Sequence, residues 1–125
     1  MASRSRSAAR LMGFGACAAF ALTPFAAQAG ATDSYYERAL MSAANARCRL
    51  FEPNLAAALA MTEAQARGAA LRSGIEEDEL DQVAERARAK AGAQACNSAD
   101  LATAAEKVKA IRAKSRFATY EALVA

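Results

Sequence analysis

The sequence predicts an all-α fold, a small up-down bundle of about four helices stapled by one disulfide. Alanine, which has the best intrinsic helix propensity, supplies 28 of the 96 residues that follow position 29. The whole chain contains only 6 glycines and 2 prolines. Apolar residues recur at intervals of three or four, which is typical of helices with one buried face. The stretches between these segments are short, which favours antiparallel neighbours.

Residues 1–29 have the order of a secretory signal peptide. Three arginines precede an apolar run over residues 11–25, and small residues close the segment at Ala29. The run is too short to cross a bilayer core, which takes roughly 20 apolar residues. We therefore expect cleavage between Ala29 and Gly30, a periplasmic or secreted mature protein, and no stable membrane insertion. Residues 30–125 then form a single helical domain.

Three other interpretations of the N-terminal segment are weaker. A retained anchor needs a longer apolar run, and a lipid on Cys17 needs that run to end at the cysteine, whereas it continues beyond it. A mitochondrial transit peptide is amphipathic, but this run is uniformly apolar.

Two helices are predicted before Gly74. The first covers residues 34–50 with Asp33 as its N-cap, and Pro53 follows its end, because the residue before a proline avoids helical backbone angles. The second covers residues 55–72, with Gly74 as its C-terminal stop. Their expected buried faces are Tyr36, Leu40, Ala44 and Cys48 in the first, and Leu55, Leu59, Thr62, Ala66 and Ala70 in the second.

Two further helices are predicted after Gly74. The third covers residues 76–95, and its acids precede its bases, an order that complements the helix dipole. A calcium site is the alternative for these acids, but their spacing lacks the alternation of a calcium loop. The fourth begins near Ser98 or Asp100, with Asn97 or Ser98 as its N-cap, and runs to about residue 123. The expected buried faces are Leu80, Val83, Ala84, Ala87, Ala91 and Ala95, and then Leu101, Ala104, Val108 and Ile111.

The cysteines predict one disulfide. Cys17 leaves with the signal peptide, so Cys48 and Cys96 remain as an even pair in an oxidising compartment. Closing a loop of this length stabilises the fold by about 4 kcal/mol on the chain-entropy estimate. Two thiols without any histidine do not make up the usual zinc ligand set. We expect no metal and no cofactor.

Charge argues against nucleic acid as a partner. The full chain carries +3, but three arginines leave with the signal peptide, so the mature chain has 13 bases and 13 acids. Non-specific nucleic-acid binding requires a basic footprint, which a neutral mature chain does not predict.

The composition also argues against catalysis. The chain contains no histidine, the commonest general base. Paired carboxylates would have to face each other across a cleft, and a small alanine-packed bundle has little room for one. We expect no enzyme activity and no catalytic residues.

Surface aromatic and arginine side chains are the candidates for contact with a partner protein, since such residues are enriched at interfaces. The alternative is that the aromatics close the ends of a thin core and the arginines are solvated. The candidates lie near both chain ends and beside the predicted disulfide: Tyr35, Arg47, Arg49, Phe51, Phe117 and Tyr120.

Two resemblances add to this interpretation. The segments Tyr36-Glu37-Arg38-Ala39-Leu40-Met41 and Ala64-Gln65-Ala66-Arg67-Gly68 resemble exported helical proteins of alphaproteobacteria that have no established activity. The spacing of 48 between the cysteines, with Gln94-Ala95-Cys96 and Lys107-Val108-Lys109, resembles small periplasmic acid-stress chaperones of the HdeA type. No tryptophan precedes the first cysteine here, which departs from that group.

The functional expectation is therefore a non-enzymatic periplasmic protein that acts through protein–protein contacts, as an adaptor or a structural component of the envelope. The HdeA resemblance implies the alternative of an acid-activated chaperone, loosened near pH 3 by the repulsion of its bases once the carboxylates are protonated. An inhibitor or immunity protein for a secreted enzyme is a third hypothesis. A homodimer stays open.

Overall fold

The computed structural model describes the backbone of residues 23–124 and the side chains of residues 28–115. Over that range the chain forms four α-helices and no strand, which confirms the predicted fold class. The helices are α1 (Thr23–Cys48), α2 (Pro53–Arg72), α3 (Glu77–Ala93) and α4 (Ala99–Val124). None of these helices is long and apolar enough to span a membrane.

Helix α1 begins eleven residues earlier than the sequence predicted, so Asp33 lies inside the helix and is not its N-cap. The local reason is the alanine-rich sequence before it, which propagates the helix. A tertiary contact supports the extension, since Gln28 Nε2 donates to the Ser73 carbonyl at 3.0 Å. The predicted cleavage position after Ala29 lies within this helix, while residues 1–22 of the predicted signal peptide lie outside the described residues.

The turn between α2 and α3 is a Schellman motif, in which a left-handed residue closes the helix end. Gly74 adopts φ 94° and donates to the Leu71 carbonyl at 3.0 Å, while Ile75 donates to the Ala70 carbonyl at 3.2 Å. Ile75 is buried, as the apolar residue of this motif usually is. The predicted stop at Gly74 is confirmed, and it determines where α3 starts.

Helix α1 is the centre of the bundle, with α2 and α3 packed along it. Two apolar clusters form the core. The lower cluster contains Tyr35, Ala39, Ala70, Ile75, Leu80, Val83, Ala84 and Ala87. The upper cluster contains Met41, Ala44, Phe51, Leu59, Ala91, Leu101 and Ala105.

The predicted buried face of α3 is confirmed from Leu80 to Ala91, but Ala95 is exposed because the helix ends at Ala93. Thr62 on α2 is also exposed, contrary to prediction. The prediction that Ile111 on α4 is buried is wrong by the largest margin, since 67% of its surface is exposed. That exposure matters for the candidate site.

The predicted disulfide joins Cys48, at the end of α1, to Cys96, in the loop before α4. The two Cα atoms are 5.5 Å apart, inside the range of 4.4–6.8 Å for a disulfide. Ser98 Oγ then accepts a hydrogen bond from the Leu101 amide at 3.3 Å, as an N-cap does. The start of α4 is thus held by one covalent bond and one cap.

Candidate functional site

An open groove lies between α1, α2 and the first half of α4, with a volume of about 450 Å³. Its apolar side chains come from all three helices. They are Leu40 and Met41 from α1, Leu59 from α2, and Ala104, Val108 and Ile111 from α4.

The groove exists because α4 diverges from the core along its length. Leu101 and Ala105 are buried, Val108 is half-buried, and every residue from 109 to 115 is exposed. A helix that packed along its whole length would bury a residue every three or four positions. Ile111 is the next position on that spacing, but it reaches no core and instead lines the outer end of the groove.

The rim of the groove is polar and carries both signs of charge, from Glu37, Arg38 and Lys107. Two rim groups are already satisfied by backbone carbonyls. Arg38 Nη1 donates to Ser34 at 2.9 Å, and Thr62 Oγ1 donates to Leu59 at 2.9 Å. An apolar floor bounded by a polar rim is the arrangement found at protein interfaces.

The disulfide corner holds three of the six predicted contact residues, but two of them have structural roles. Arg47 Nη1 donates to the Ala91 carbonyl at 2.9 Å and also bonds the Gln94 carbonyl, so it ties α1 to the C-terminal end of α3. Phe51 is buried in the upper cluster.

Arg49 is the third member of this trio, and like Arg47 it is exposed to solvent. Its side chain is exposed, and its backbone has φ 53°, an uncommon angle for a residue other than glycine.

The remaining three predicted contact residues lie apart from that corner. Tyr35 is 4% exposed and belongs to the lower cluster, so it closes the core, as the alternative interpretation of the aromatics expected. Phe117 and Tyr120 lie on α4, but their side chains are outside the described part of the structure. Contact through these two residues stays a prediction.

An ion-pair cluster joins α2 to α3. Arg67 Nη2 donates to Glu77 Oε1 at 3.0 Å and to Asp81 Oδ1 at 3.2 Å. The hydrogen bond to Glu77 has the larger effect and the bond to Asp81 the next, and both raise the pKa of Arg67 above its ordinary value. The direction of the shift means that the guanidinium stays charged at every pH below the ordinary pKa of arginine.

Over residues 28–115, whose side chains the structure describes, no group of three or more acidic or cysteine side chains is arranged to hold a metal ion. The groove contributes apolar area and a polar rim, which suit the side chains of another protein.

The sequence interpretation missed the groove because it placed Ile111 in the core. One signal points to the correct arrangement. The residues around Ile111 include Lys107, Lys109, Arg112 and Lys114, and such a density of charge leaves no wide apolar face for a core helix.

The chain matches no protein-family model, no curated protein and no solved structure.

Proposed function

We propose that this protein is a non-enzymatic component of the periplasm that binds another envelope protein, as an adaptor or a structural subunit, through the groove between α1, α2 and α4. The observation that carries the proposal is the exposure of Ile111, 67%, beside an apolar floor. Exposed apolar patches with polar rims mark interaction sites in small proteins.

The location rests on two features that support each other. The N-terminal segment has the order of a signal peptide, and Cys48 and Cys96 form a disulfide, a bond that persists in oxidising compartments such as the periplasm. A partner met there is an exported or membrane-associated protein of the envelope.

The composition of the core also supports the proposal, because a bound partner would add to the stability of the domain. Among the described residues, seven of the 15 buried apolar residues are alanines, so nearly half of the core positions bury only a methyl side chain. A partner that covers Ile111 adds apolar burial at about 25 cal/mol per Å².

The test is affinity purification of the exported protein at neutral pH. Ile111→Glu places a charge on the floor of the groove, whereas Ala113→Glu adds the same charge at an exposed position of α4 that does not line it. We expect one envelope protein to co-purify stoichiometrically with the wild type and with the Ala113→Glu control, and to be lost with Ile111→Glu. Circular dichroism checks that both variants are folded. Equal recovery from both variants, or no stoichiometric partner, contradicts the proposal.

One observation favours the acid-activated chaperone as a second candidate function. The two carboxylates that tie α2 to α3 through Arg67 are exposed, with side-chain accessibilities of 70% for Glu77 and 64% for Asp81. Near pH 3 most carboxylates in proteins are protonated. Acid therefore weakens ion pairs between helices at the same pH at which the mature chain gains net positive charge.

The two candidate functions separate in one assay. The oxidised protein is mixed with an acid-denatured client at about pH 3, where most carboxylates are protonated, and aggregation is followed by light scattering. A chaperone suppresses aggregation in acid and not at neutral pH. An adaptor shows no suppression at either pH and retains its single partner at neutral pH.

A further inference from the structure

Two segments of the chain carry dense and opposite charge. Residues 76–85, here the acidic segment, contain six acidic residues and no base. Residues 107–116, here the basic segment, contain five bases and no acid. Each segment has ten residues, so each covers about 15 Å of helix.

The charges of both segments face solvent. All six acidic residues of the acidic segment are exposed, and so are the four bases of the basic segment whose side chains the structure describes. The latter are Lys107, Lys109, Arg112 and Lys114.

Few of these charges form ion pairs within the described part of the molecule. Arg67 pairs with Glu77 and Asp81 at the acidic segment, and Glu106 pairs with Lys109 at the basic segment. Over residues 28–115, no other ion pair reaches either segment. The acids without such a pair are Glu76, Asp78, Glu79 and Glu85, and the bases are Lys107, Arg112 and Lys114.

The fold keeps the two segments apart. Around residues 104–111, α4 lies beside α1 and α2, where it forms the wall of the groove. Helix α3 packs along α1 through the lower cluster. Since no ion pair of the described residues joins the segments, their charges are complementary but do not meet within one molecule.

We propose that a second copy of this chain docks its acidic segment on the basic segment of the first. Charge complementarity of this kind steers association and determines which surfaces meet. If the two contacts form reciprocally in one pair, they close a two-fold dimer. The basic segment borders the groove at Lys107, Val108 and Ile111, but this proposal rests on the charges of the two segments and does not rest on the proposed function.

The charge balance favours a second copy over an anionic surface. The mature chain has 13 bases and 13 acids, so two copies meet without net repulsion. An anionic lipid surface would attract the basic segment but repel the acidic one. A second copy offers an oppositely charged segment to both of them.

The first measurement is the mass of the oxidised mature protein by light scattering after gel filtration. We compare about 20 mM with about 500 mM NaCl, where the Debye lengths are roughly 20 Å and 4 Å. The expected result is a concentration-dependent dimer at low salt whose dissociation constant rises at least about tenfold at high salt. A monomer at both salt concentrations overturns the proposal, and so does a dimer that salt does not weaken.

The second measurement is a charge swap. One triple variant, Lys109→Glu, Arg112→Glu and Lys114→Glu, reverses the basic segment. The other, Asp78→Lys, Glu79→Lys and Glu85→Lys, brings the net charge of the acidic segment from −6 to zero and leaves the two partners of Arg67 in place. Each variant alone then lacks one of the two attracting segments and is expected to be monomeric, whereas their mixture associates through the unaltered acidic segment of one variant and the unaltered basic segment of the other. Failure of the mixture to associate overturns the proposal, provided that circular dichroism shows both variants folded.

A matched control reverses three exposed cations outside the basic segment, by Arg49→Glu, Arg72→Glu and Arg86→Glu. It changes the net charge as much as the basic-segment variant does, and it is expected to stay dimeric. If the control dissociates as much as the basic-segment variant does, the net charge of the chain and not the basic segment controls dimer formation, and the proposal is overturned. Binding of a monomeric wild type to vesicles that contain anionic lipid, lost in the basic-segment variant, assigns that segment to a membrane surface and also overturns it.

Discussion

Helices α3 and α4 are similar in composition but differ in how they pack. Both are rich in alanine and in charged residues. Helix α3 buries five of its 17 residues, whereas α4 buries two, Leu101 and Ala105, over its first 17 residues, 99–115. Helix propensity is therefore not what distinguishes them. The spacing of apolar side chains, and what lies opposite them, decides which helix belongs to the core.

The two helices are also joined to the bundle in different ways. The entry to α3 is a hydrogen-bonded backbone turn at Gly74, and the helix then packs along α1. The entry to α4 is held by the disulfide at Cys96, and the core contacts of the helix thin out past Val108. A helix with few buried contacts depends more on its covalent bond, and the comparison predicts the effects below.

Opening the disulfide is expected to have the largest effect. The bond closes a loop with a sequence separation of 48, so Cys48→Ala with Cys96→Ala lowers the free energy of unfolding by about 4 kcal/mol. Urea unfolding followed by circular dichroism measures this change. Amide exchange should show α4 losing protection before α3. A loss of less than about 1 kcal/mol, or earlier loss of protection in α3, contradicts the comparison.

Truncation of one large apolar residue in each helix sharpens the contrast. Leu80 is fully buried in the lower cluster, so Leu80→Ala should cost about 3 kcal/mol of unfolding free energy. Ile111→Ala removes an exposed side chain and should change it by less than about 0.5 kcal/mol. Both values come from the same urea titrations. Equal costs would show that Ile111 is part of the folding core.

Glycine substitutions at two ends of α3 should act with opposite signs. At Gly74, φ is 94° and an added Cβ would meet only Gln28 Nε2 at 3.5 Å, so Gly74→Ala destabilises by about 1 kcal/mol through the backbone alone. Gly92 is helical and has open space around it, so Gly92→Ala stabilises by up to about 1 kcal/mol. Thermal unfolding of the two variants checks both signs.

A small effect is expected at Ser42 on α1. Its hydroxyl oxygen is buried without a hydrogen-bond partner among the described residues. Ser42→Ala removes a buried polar group that gains no bond, so the variant should be neutral or more stable by about 1 kcal/mol. Ala43→Ser, at a half-buried neighbour, is the reverse change and should not stabilise. A destabilised Ser42→Ala would indicate a bond that this conformation lacks.

Features that depend on local chemistry were predicted correctly. Gly74 ends α2 because a left-handed backbone angle suits glycine, and Ser98 caps α4 because its hydroxyl reaches a free amide. The face of α3 from Leu80 to Ala91 follows from its 3.6-residue period. The pairing of Cys48 with Cys96 follows from their being the two cysteines that remain after residue 29.

Features that depend on distant neighbours were not predicted. The start of α1 was missed, and one contact of its early part joins Gln28 to Ser73, which is 45 residues away. The exposure of Ile111 was missed as well, because spacing places it on the buried face of α4 but cannot show that an open groove separates it from α1 and α2 there. The sequence did not decide whether Tyr35 and Phe51 are buried, because an aromatic residue near the end of a helix is compatible with either a core or a surface position.

The sequence by itself determined the helical class, the C-terminal end of α2, the cap of α4 and the cysteine pairing, because each depends on residue types that act over a few positions or through a single covalent bond. Only the tertiary structure decided that α4 diverges from the bundle, that Ile111 borders an open groove, and that no ion pair among the described residues joins the acidic segment to the basic one. Those outcomes depend on which surfaces are packed against one another, and residues far apart in the chain determine that packing.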